Sequence, residues 1–174
     1  SISPEAPVPI VKIGTDSTLL GGAGNVIHNL KALGADVDLI SVIGDCEISS
    51  KAKALLTDIN ISTKYLVLEK NRITSKKTRI ISSHQQVIRF DRESTKIISK
   101  SSQEKILKTF KKIIIEYSCV LFSDYGKGIF DTKLTQLLIQ IAKQNNIKVL
   151  IDPKGSDYSK YTGAFLLTPN KKEA

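Results

Sequence analysis

Three short apolar runs that alternate with helical patterns constrain the fold of this chain more than any other feature. The runs cover residues 119–122, 147–151 and 165–167. Apolar residues at helical spacing precede the first run, from Ser101 onward, and separate the first run from the second, over residues 134–142. Strands that are apolar on both faces are typical of parallel sheets covered by helices. The pattern therefore predicts an α/β fold with a parallel central sheet flanked by helices.

The rest of the chain predicts a hairpin and several shorter elements. Residues 77–82 and 86–91 read as two paired strands, with residues 83–85 as their turn. Ser101 and Glu104 form a capping box that predicts the start of the helix before the first apolar run. The other predicted elements are helices over 26–33 and 48–58, strands over 38–43 and 65–68, and an extended segment over 6–13.

Polar residues follow each of the three buried strands. They are Asp124 and Lys127, then Asp152 and Lys154, then Asn170 and Glu173. Ligands of such sheets bind beyond the carboxyl ends of the strands, and lysines with carboxylates suit a phosphate and a divalent cation. Simpler explanations stay open, because Asn170 and Glu173 are also spaced as a helix cap and Asp152 precedes a proline in a strand-ending turn.

The glycine cluster Gly-Gly-Ala-Gly-Asn at residues 21–25 precedes a predicted helix. It does not fit the dinucleotide-binding fingerprint, because Ile27 occupies the position of the third glycine, and the chain has no phosphate-binding P-loop motif. Two interpretations remain: backbone N–H groups that meet a polar ligand at a helix N-terminus, or a tight turn with an asparagine cap.

Composition excludes several classes of protein. Two cysteines cannot build a disulfide framework, and neither lies in a zinc-binding spacing, so a reduced, cytoplasmic setting is expected. The apolar runs are too short to cross a bilayer, so we expect no membrane partner. The net charge of +9 favours anionic partners, but solvated lysines explain it without any such partner. One aromatic residue in the basic hairpin is too few for a nucleic-acid stacking platform, so nucleic acid is not expected as a partner.

Six motifs in order carry a resemblance to a known family. They are Ile-Ser-Pro-Glu-Ala-Pro-Val-Pro at 2–9, Gly-Gly-Ala-Gly-Asn at 21–25, His-Gln-Gln-Val-Ile-Arg-Phe-Asp at 84–91, Ser-Asp-Tyr-Gly-Lys-Gly at 123–128, Ile-Asp-Pro-Lys-Gly at 151–155 and Leu-Thr-Pro-Asn at 167–170. The chain resembles the ribokinase-like carbohydrate kinases (the phosphofructokinase B superfamily), and among them the kinases of D-glycero-β-D-manno-heptose 7-phosphate. The resemblance implies transfer of a phosphoryl group from ATP, with Mg²⁺, to the C1 hydroxyl of that sugar. The product would be the 1,7-bisphosphate used for ADP-heptose and lipopolysaccharide core synthesis.

The resemblance also implies roles for individual residues. Substrate-binding residues would be Gly21, Gly22, Asn25, Arg79, Gln85, Arg89, Asp124 and Lys127. Lys154, Asn170 and Glu173 would contact ATP and its phosphates, and Asn170 with Glu173 would bind Mg²⁺. Phosphoryl transfer depends on positioning and charge neutralisation, which residues of these types supply.

The family pattern further implies how the chain is organised. Residues 1–174 would form a partial ribokinase-like kinase domain, incomplete at both ends, in which residues 6–13 and 77–91 form a small β-clasp lid that mediates a homodimer. The Gly-Ala-Gly-Asp segment with the catalytic aspartate would lie beyond the last residue, so we expect this segment alone to be inactive. A nucleotidyltransferase domain is expected to follow. Another ribokinase-like sugar kinase or a non-catalytic sugar-phosphate-binding module are the alternatives.

Overall fold

A computed structural model describes residues 13–82 and 85–171. Its helices are α1 (Ala23–Ala32), α2 (Glu47–Asp58), α3 (Lys100–Ile113) and α4 (Thr132–Gln144), with short 3-10 helices at Ile114–Glu116 and Ser159–Tyr161. Its strands are β1 (Ser41–Gly44), β2 (Leu66–Glu69), β3 (Lys76–Ser82), β4 (Gln85–Arg92), β5 (Cys119–Ser123), β6 (Lys148–Asp152) and β7 (Leu166–Leu167). The predicted extended segment over 6–13 lies outside the described residues except for its last residue.

Two parallel sheets confirm the predicted α/β class. Strands β1 and β2 pair in parallel, and β5, β6 and β7 form a three-stranded parallel sheet in that order. Helix α4 connects β5 to β6, as a parallel pair requires. The predicted strands and helices are therefore present, with boundaries that differ by a few residues.

One apolar core joins the two parallel sheets to helices α3 and α4. Val42 of β1 and Val67 of β2 belong to the same buried cluster as Ile106, Phe122 and Ile151. The stripe predicted on α3 is confirmed, since its apolar residues spaced three and four apart are buried. Burial of each such side chain stabilises the fold by about 1.5–3 kcal/mol.

Within the described residues, the two faces of the β5–β7 sheet differ in exposure. Phe122 and Ile151 face helix α4 and are 3% and 0% exposed. Leu121 and Leu166 lie on the opposite face, in register through Leu150, and are 38% and 46% exposed. The apolar runs therefore correctly indicated strands that carry apolar side chains on both faces.

The start of α3 differs from the predicted capping box. Ser99, not Ser101, is the N-cap, and its Oγ accepts a hydrogen bond from Ser102 N at 3.2 Å. Ser99 takes this position because its own N–H donates to Glu69 Oε2, at 2.9 Å, from the end of β2. A tertiary contact thus shifts the helix start by two residues.

The predicted hairpin is confirmed as the antiparallel pair β3–β4. Arg79 lies directly opposite Arg89, and an irregularity follows Ile80. Gln85, which we predicted in the turn, instead begins β4 and pairs with Ser82. Every residue of β4 is exposed.

Candidate functional site

The carboxyl ends of β5, β6 and β7 meet at one edge of the sheet, as predicted. Ser123 pairs with Asp152, and Asp124 N donates to the carbonyl of Asp152 at 2.9 Å. Thr168 N donates to the carbonyl of Ile151 at 2.9 Å, which brings the segment after β7 to the same edge. We call this edge, with the turn 124–128 that follows β5, the rim.

Asp124 is the most buried charged residue at the rim, at 4% exposed. Its Oδ2 accepts hydrogen bonds from Lys160 Nζ at 2.6 Å and Tyr161 Oη at 2.7 Å. Its Oδ1 accepts a bond from Gly126 N at 2.7 Å, which fixes the turn 124–128. A buried carboxylate needs such donors, because burial without partners is costly.

Lys160 and Tyr161 contact Asp124 and are not among the residues that the sequence predicts for the site. Burial opposes the charge of Lys160, but its hydrogen bonds to Asp124 and Tyr161 outweigh burial and raise its pKa. Burial is also the main cause of the raised pKa of Tyr161. The two residues lie 36 and 37 positions after Asp124, so no local spacing in the sequence links them to it.

Lys127 connects the rim to the hairpin through a row of ion pairs. Its Nζ lies 2.6 Å from Glu93 Oε1, just beyond the end of β4. Lys77 Nζ of β3 lies 3.6 Å from the same carboxylate of Glu93 and 3.4 Å from Asp91 Oδ2. Arg89 completes the row with two bonds to Asp91, at 3.0 and 2.7 Å. The structure therefore links predicted residues Arg89 and Lys127 through three residues that were not predicted.

Ion pairing shifts the titration of this row. Hydrogen bonds from Arg89 are the main cause that lowers the pKa of Asp91 to about 2. The hydrogen bond from Lys127 lowers the pKa of Glu93. Both carboxylates are therefore charged at neutral pH.

The glycine turn lies beside the rim. Gly22 is the N-cap of α1, with φ of 51°, and no side chain caps this helix, so the asparagine cap was a wrong interpretation of Asn25. A Cβ placed on Gly22 would lie 3.6 Å from the ring of Tyr125. The structure thus brings the turn with Gly21, Gly22 and Asn25 next to the turn 124–128.

The remaining predicted residues occupy three places. Exposed Lys154 follows β6, and its Cγ lies 3.4 Å from where a Cβ on Gly126 would stand, so it lies at the rim. Exposed Asn170 follows β7, whereas Glu173 lies outside the described residues. Arg79 and Gln85 are exposed on the hairpin.

Two further features are absent from the part of the chain that the structure describes. Within residues 13–82 and 85–171, no three or more His, Cys, Asp or Glu side chains group as a metal site. Among the helices described, none is both long and apolar enough to cross a membrane.

Comparison with known proteins agrees with this architecture. The family model described as pfkB family carbohydrate kinase matches residues 2–174. The chain is 57% identical over 173 residues to the bifunctional protein HldE of Aliarcobacter butzleri (strain RM4018) and 53% identical to that of Sulfurimonas denitrificans, covering 99% of this chain in both cases. The chain spans about a third of the length of these relatives, 36% of each.

Solved structures show the same fold. A possible 1-phosphofructokinase from Thermotoga maritima aligns with a TM-score of 0.69 at 14% identity, covering 99% of this chain and 56% of that one. Phosphofructokinase-2 from Escherichia coli, in a tetrameric inhibited form, aligns with a TM-score of 0.67 at 18% identity, covering 93% and 56%. With the family model matched over nearly the whole length, the chain belongs to the pfkB family of carbohydrate kinases and has its ribokinase-like fold.

Proposed function

We propose that this chain is the sugar-phosphate-binding part of a kinase that acts on D-glycero-β-D-manno-heptose 7-phosphate. The enzyme would transfer the γ-phosphoryl group of ATP to the C1 hydroxyl and form the 1,7-bisphosphate for ADP-heptose and lipopolysaccharide core synthesis. The observation that carries the proposal is the row of charges that joins Arg89 on the hairpin to Lys127 at the rim. Lys127 belongs to the turn beside the glycine turn, Arg89 is linked to it by ion pairs, and two such cations suit a sugar that bears a phosphate.

Sugar binding would involve both the glycine turn and the turn 124–128. Backbone groups of Gly21 and Gly22, with the Asn25 side chain, would contact hydroxyls of the sugar. Asp124 Oδ2 accepts two bonds from the protein and Oδ1 accepts one, from Gly126 N, so the remaining lone pair on Oδ1 would serve a sugar hydroxyl. The residues that would approach the 7-phosphate are Arg79, Gln85, Arg89 and Lys127.

Phosphoryl transfer would take place at the ends of β6 and β7. Lys154 is exposed at the rim, and its ammonium would neutralise charge on the transferring group. The amide oxygen of Asn170 and the carboxylate of Glu173 are the oxygen ligands that Mg²⁺ prefers, and this ion usually keeps waters and nucleotide phosphates as further ligands. Bound Mg²⁺ would supply charge neutralisation at the phosphates.

Three further proposals concern the whole protein. Residues 1–174 would be part of a kinase domain that acts in the cytoplasm and has no activity without the rest of that domain. The relatives are named bifunctional and this chain spans 36% of their length, which supports a further domain, and we propose that this domain is a nucleotidyltransferase that follows the kinase domain. Exposed Val87, Ile88 and Phe90 on the hairpin support a homodimer through the lid.

The test supplies the full-length gene product with ATP, Mg²⁺ and heptose 7-phosphate and detects the bisphosphate by mass spectrometry. We expect product only when all three are present, and none from residues 1–174 alone. Lys127→Ala should raise the KM for the sugar phosphate. Lys133→Ala, an exposed lysine on α4, is the matched control that should leave KM unchanged.

Two outcomes of this experiment would contradict the proposal. Phosphorylation of fructose 6-phosphate, ribose or adenosine in the absence of heptose 7-phosphate turnover would identify another sugar kinase of the family. Sugar-phosphate binding without any ATP turnover by the full-length protein would indicate a non-catalytic binding module.

A further inference from the structure

Arg72 lies in the connection between β2 and β3. None of the functions proposed above assigns a role to its side chain. Its side chain is 6% exposed. One guanidinium nitrogen, Nη1, lies 3.3 Å from Glu69 Oε1 and donates to the carbonyl of Lys96 at 3.1 Å. The other, Nη2, donates to the carbonyl of Lys127 in the turn 124–128. Arg72 thus holds together segments that lie 24 and 55 residues away from it in the chain.

Glu69 keeps the guanidinium in place. Its Oε2 accepts bonds from Ser99 N at 2.9 Å and Ser102 Oγ at 2.5 Å, at the start of α3. Burial alone would raise its pKa, but the bonds from Ser102 and Ser99 and the charge of Arg72 outweigh burial and lower it. A carboxylate at a helix N-terminus is further stabilised by the helix dipole. Glu69 is therefore a fixed, charged partner for Arg72.

Two glycines allow the segments around Arg72 to approach closely. A Cβ on Gly44, at the end of β1, would lie 1.8 Å from the carbonyl oxygen of Arg72. A Cβ on Gly128 would lie 2.0 Å from the carbonyl oxygen of Lys96, which Arg72 also binds. The end of β1 is thus packed against the Arg72 backbone, and the end of β2 and the turn after β5 contact its guanidinium.

We propose that Arg72 is a positioning residue for the sugar-phosphate site. By holding the Lys127 carbonyl, it fixes the backbone of the turn at Lys127, and through that backbone it places the Lys127 side chain. The role rests on the proposed function, since it concerns the substrate that this side chain would bind.

The planar fork of arginine is necessary for this arrangement. Three acceptors from three segments receive bonds from two nitrogens of one rigid group. A lysine would keep the positive charge beside Glu69, but its single nitrogen cannot reach both carbonyls with the same geometry. Arg72→Lys therefore tests positioning while retaining the buried charge.

The experiment measures kcat and KM for the full-length enzyme as Arg72→Lys, Lys127→Ala and the double variant. Arg72→Lys should lower kcat/KM for the sugar phosphate roughly 10- to 100-fold, because a small displacement of a binding group is costly, and leave KM for ATP unchanged. In the Lys127→Ala background the same change should cost much less, because both act on one group. Arg92→Lys, at an exposed position of β4, is the matched control and should have no effect.

Hydrogen exchange provides a measurement that needs no substrate. Arg72→Lys should speed exchange of the amides of residues 124–128, while amides of α4 keep their wild-type rates. Unchanged exchange in this turn, or equal loss of kcat/KM with and without Lys127, would overturn the positioning role. If the wild type phosphorylates only another sugar, the proposed function fails, but the exchange result still decides the role of Arg72.

Discussion

Removal of the Tyr161 hydroxyl tests whether the donors around Asp124 hold the rim together. Tyr161 is 2% exposed, and its Oη donates to Asp124 Oδ2 at 2.7 Å and accepts a bond from Lys154 N at 3.2 Å. In Tyr161→Phe, Asp124 keeps its bonds from Lys160 and Gly126 but loses one of three donors.

The size of the effect follows from the charge of the acceptor. A hydrogen bond to a charged group contributes about 1.5–3 kcal/mol, so we expect Tyr161→Phe to lower the free energy of unfolding by about 2 kcal/mol. For a domain of this size that corresponds to a fall in Tm of about 4–8 °C. The Lys154 amide adds little, because it is only partly buried and water can replace its partner.

Urea unfolding followed by circular dichroism measures this loss, with the midpoint falling and the m-value unchanged. Tyr125→Phe, which removes a hydroxyl from an exposed ring, is the matched control. A loss below about 0.5 kcal/mol for Tyr161→Phe, the range of ordinary surface changes, would refute the reasoning.

The pH dependence offers a second check on the same cluster. The pKa of Lys160 is raised above its ordinary value near 10.5, so the folded state binds the proton of this side chain more tightly than the unfolded state does. Its stabilising contribution is complete below pH 10.5 and is lost as the pH rises through the higher folded value. Lys160→Met should therefore be less stable than wild type at neutral pH and approach it in alkali.

Three other predictions follow from local geometry. Gly128 has φ of +77°, and a Cβ there would lie 2.0 Å from a carbonyl oxygen, so Gly128→Ala should lower the free energy of unfolding by several kcal/mol. Gly155 has φ of +90° but open space, so Gly155→Ala should lower it by only about 1–2 kcal/mol. Urea unfolding measures both losses, and equal losses would contradict the clash at Gly128. The hydrogen bond with the Ser49 side chain is the main cause that lowers the pKa of Cys46 to about 7. Iodoacetamide should therefore label Cys46 faster than Cys119 at pH 7.5, measured by mass spectrometry. Equal labelling rates would contradict the lowered pKa. The pKa of Glu93 is lowered in the folded state, so its ion pair with Lys127 should persist below the pH range in which glutamate usually titrates. The pair is lost only as the pH falls through the folded-state pKa, which an NMR titration of the Glu93 carboxyl group can follow. An ordinary titration midpoint would contradict the pairing.

Sequence patterns predicted the elements whose residues interact with near neighbours. The runs that became β5 and β6 are continuous and apolar, and the α3 stripe has helical spacing, so period and hydrophobicity suffice to identify them. The rule that ligands bind beyond the strand ends also located the rim, because it depends only on strands being parallel.

Contacts between distant segments could not be predicted in this way. The N-cap shifted from Ser101 to Ser99 because Glu69 binds Ser99 from 30 residues away. Lys160 resembles any surface lysine in the sequence, and only the folded chain brings it to Asp124. Arg72 likewise has no local signal, since all that distinguishes it is burial and bonds to remote carbonyls.

The row of ion pairs explains how the hairpin can carry two neighbouring arginines, which a bound phosphate would require as partners. Arg79 lies directly opposite Arg89, and like charges in a cross-strand pair are destabilising. Asp91 offsets this repulsion by holding Arg89 with two hydrogen bonds. A bound phosphate would bring a second anion to the same arginines and would compete with Asp91 for Arg89. Hydrogen bonds to Asp91 are the main cause that raises the pKa of Arg89, so its charge is compensated before any ligand binds, and an anion that binds only the folded hairpin would stabilise it further.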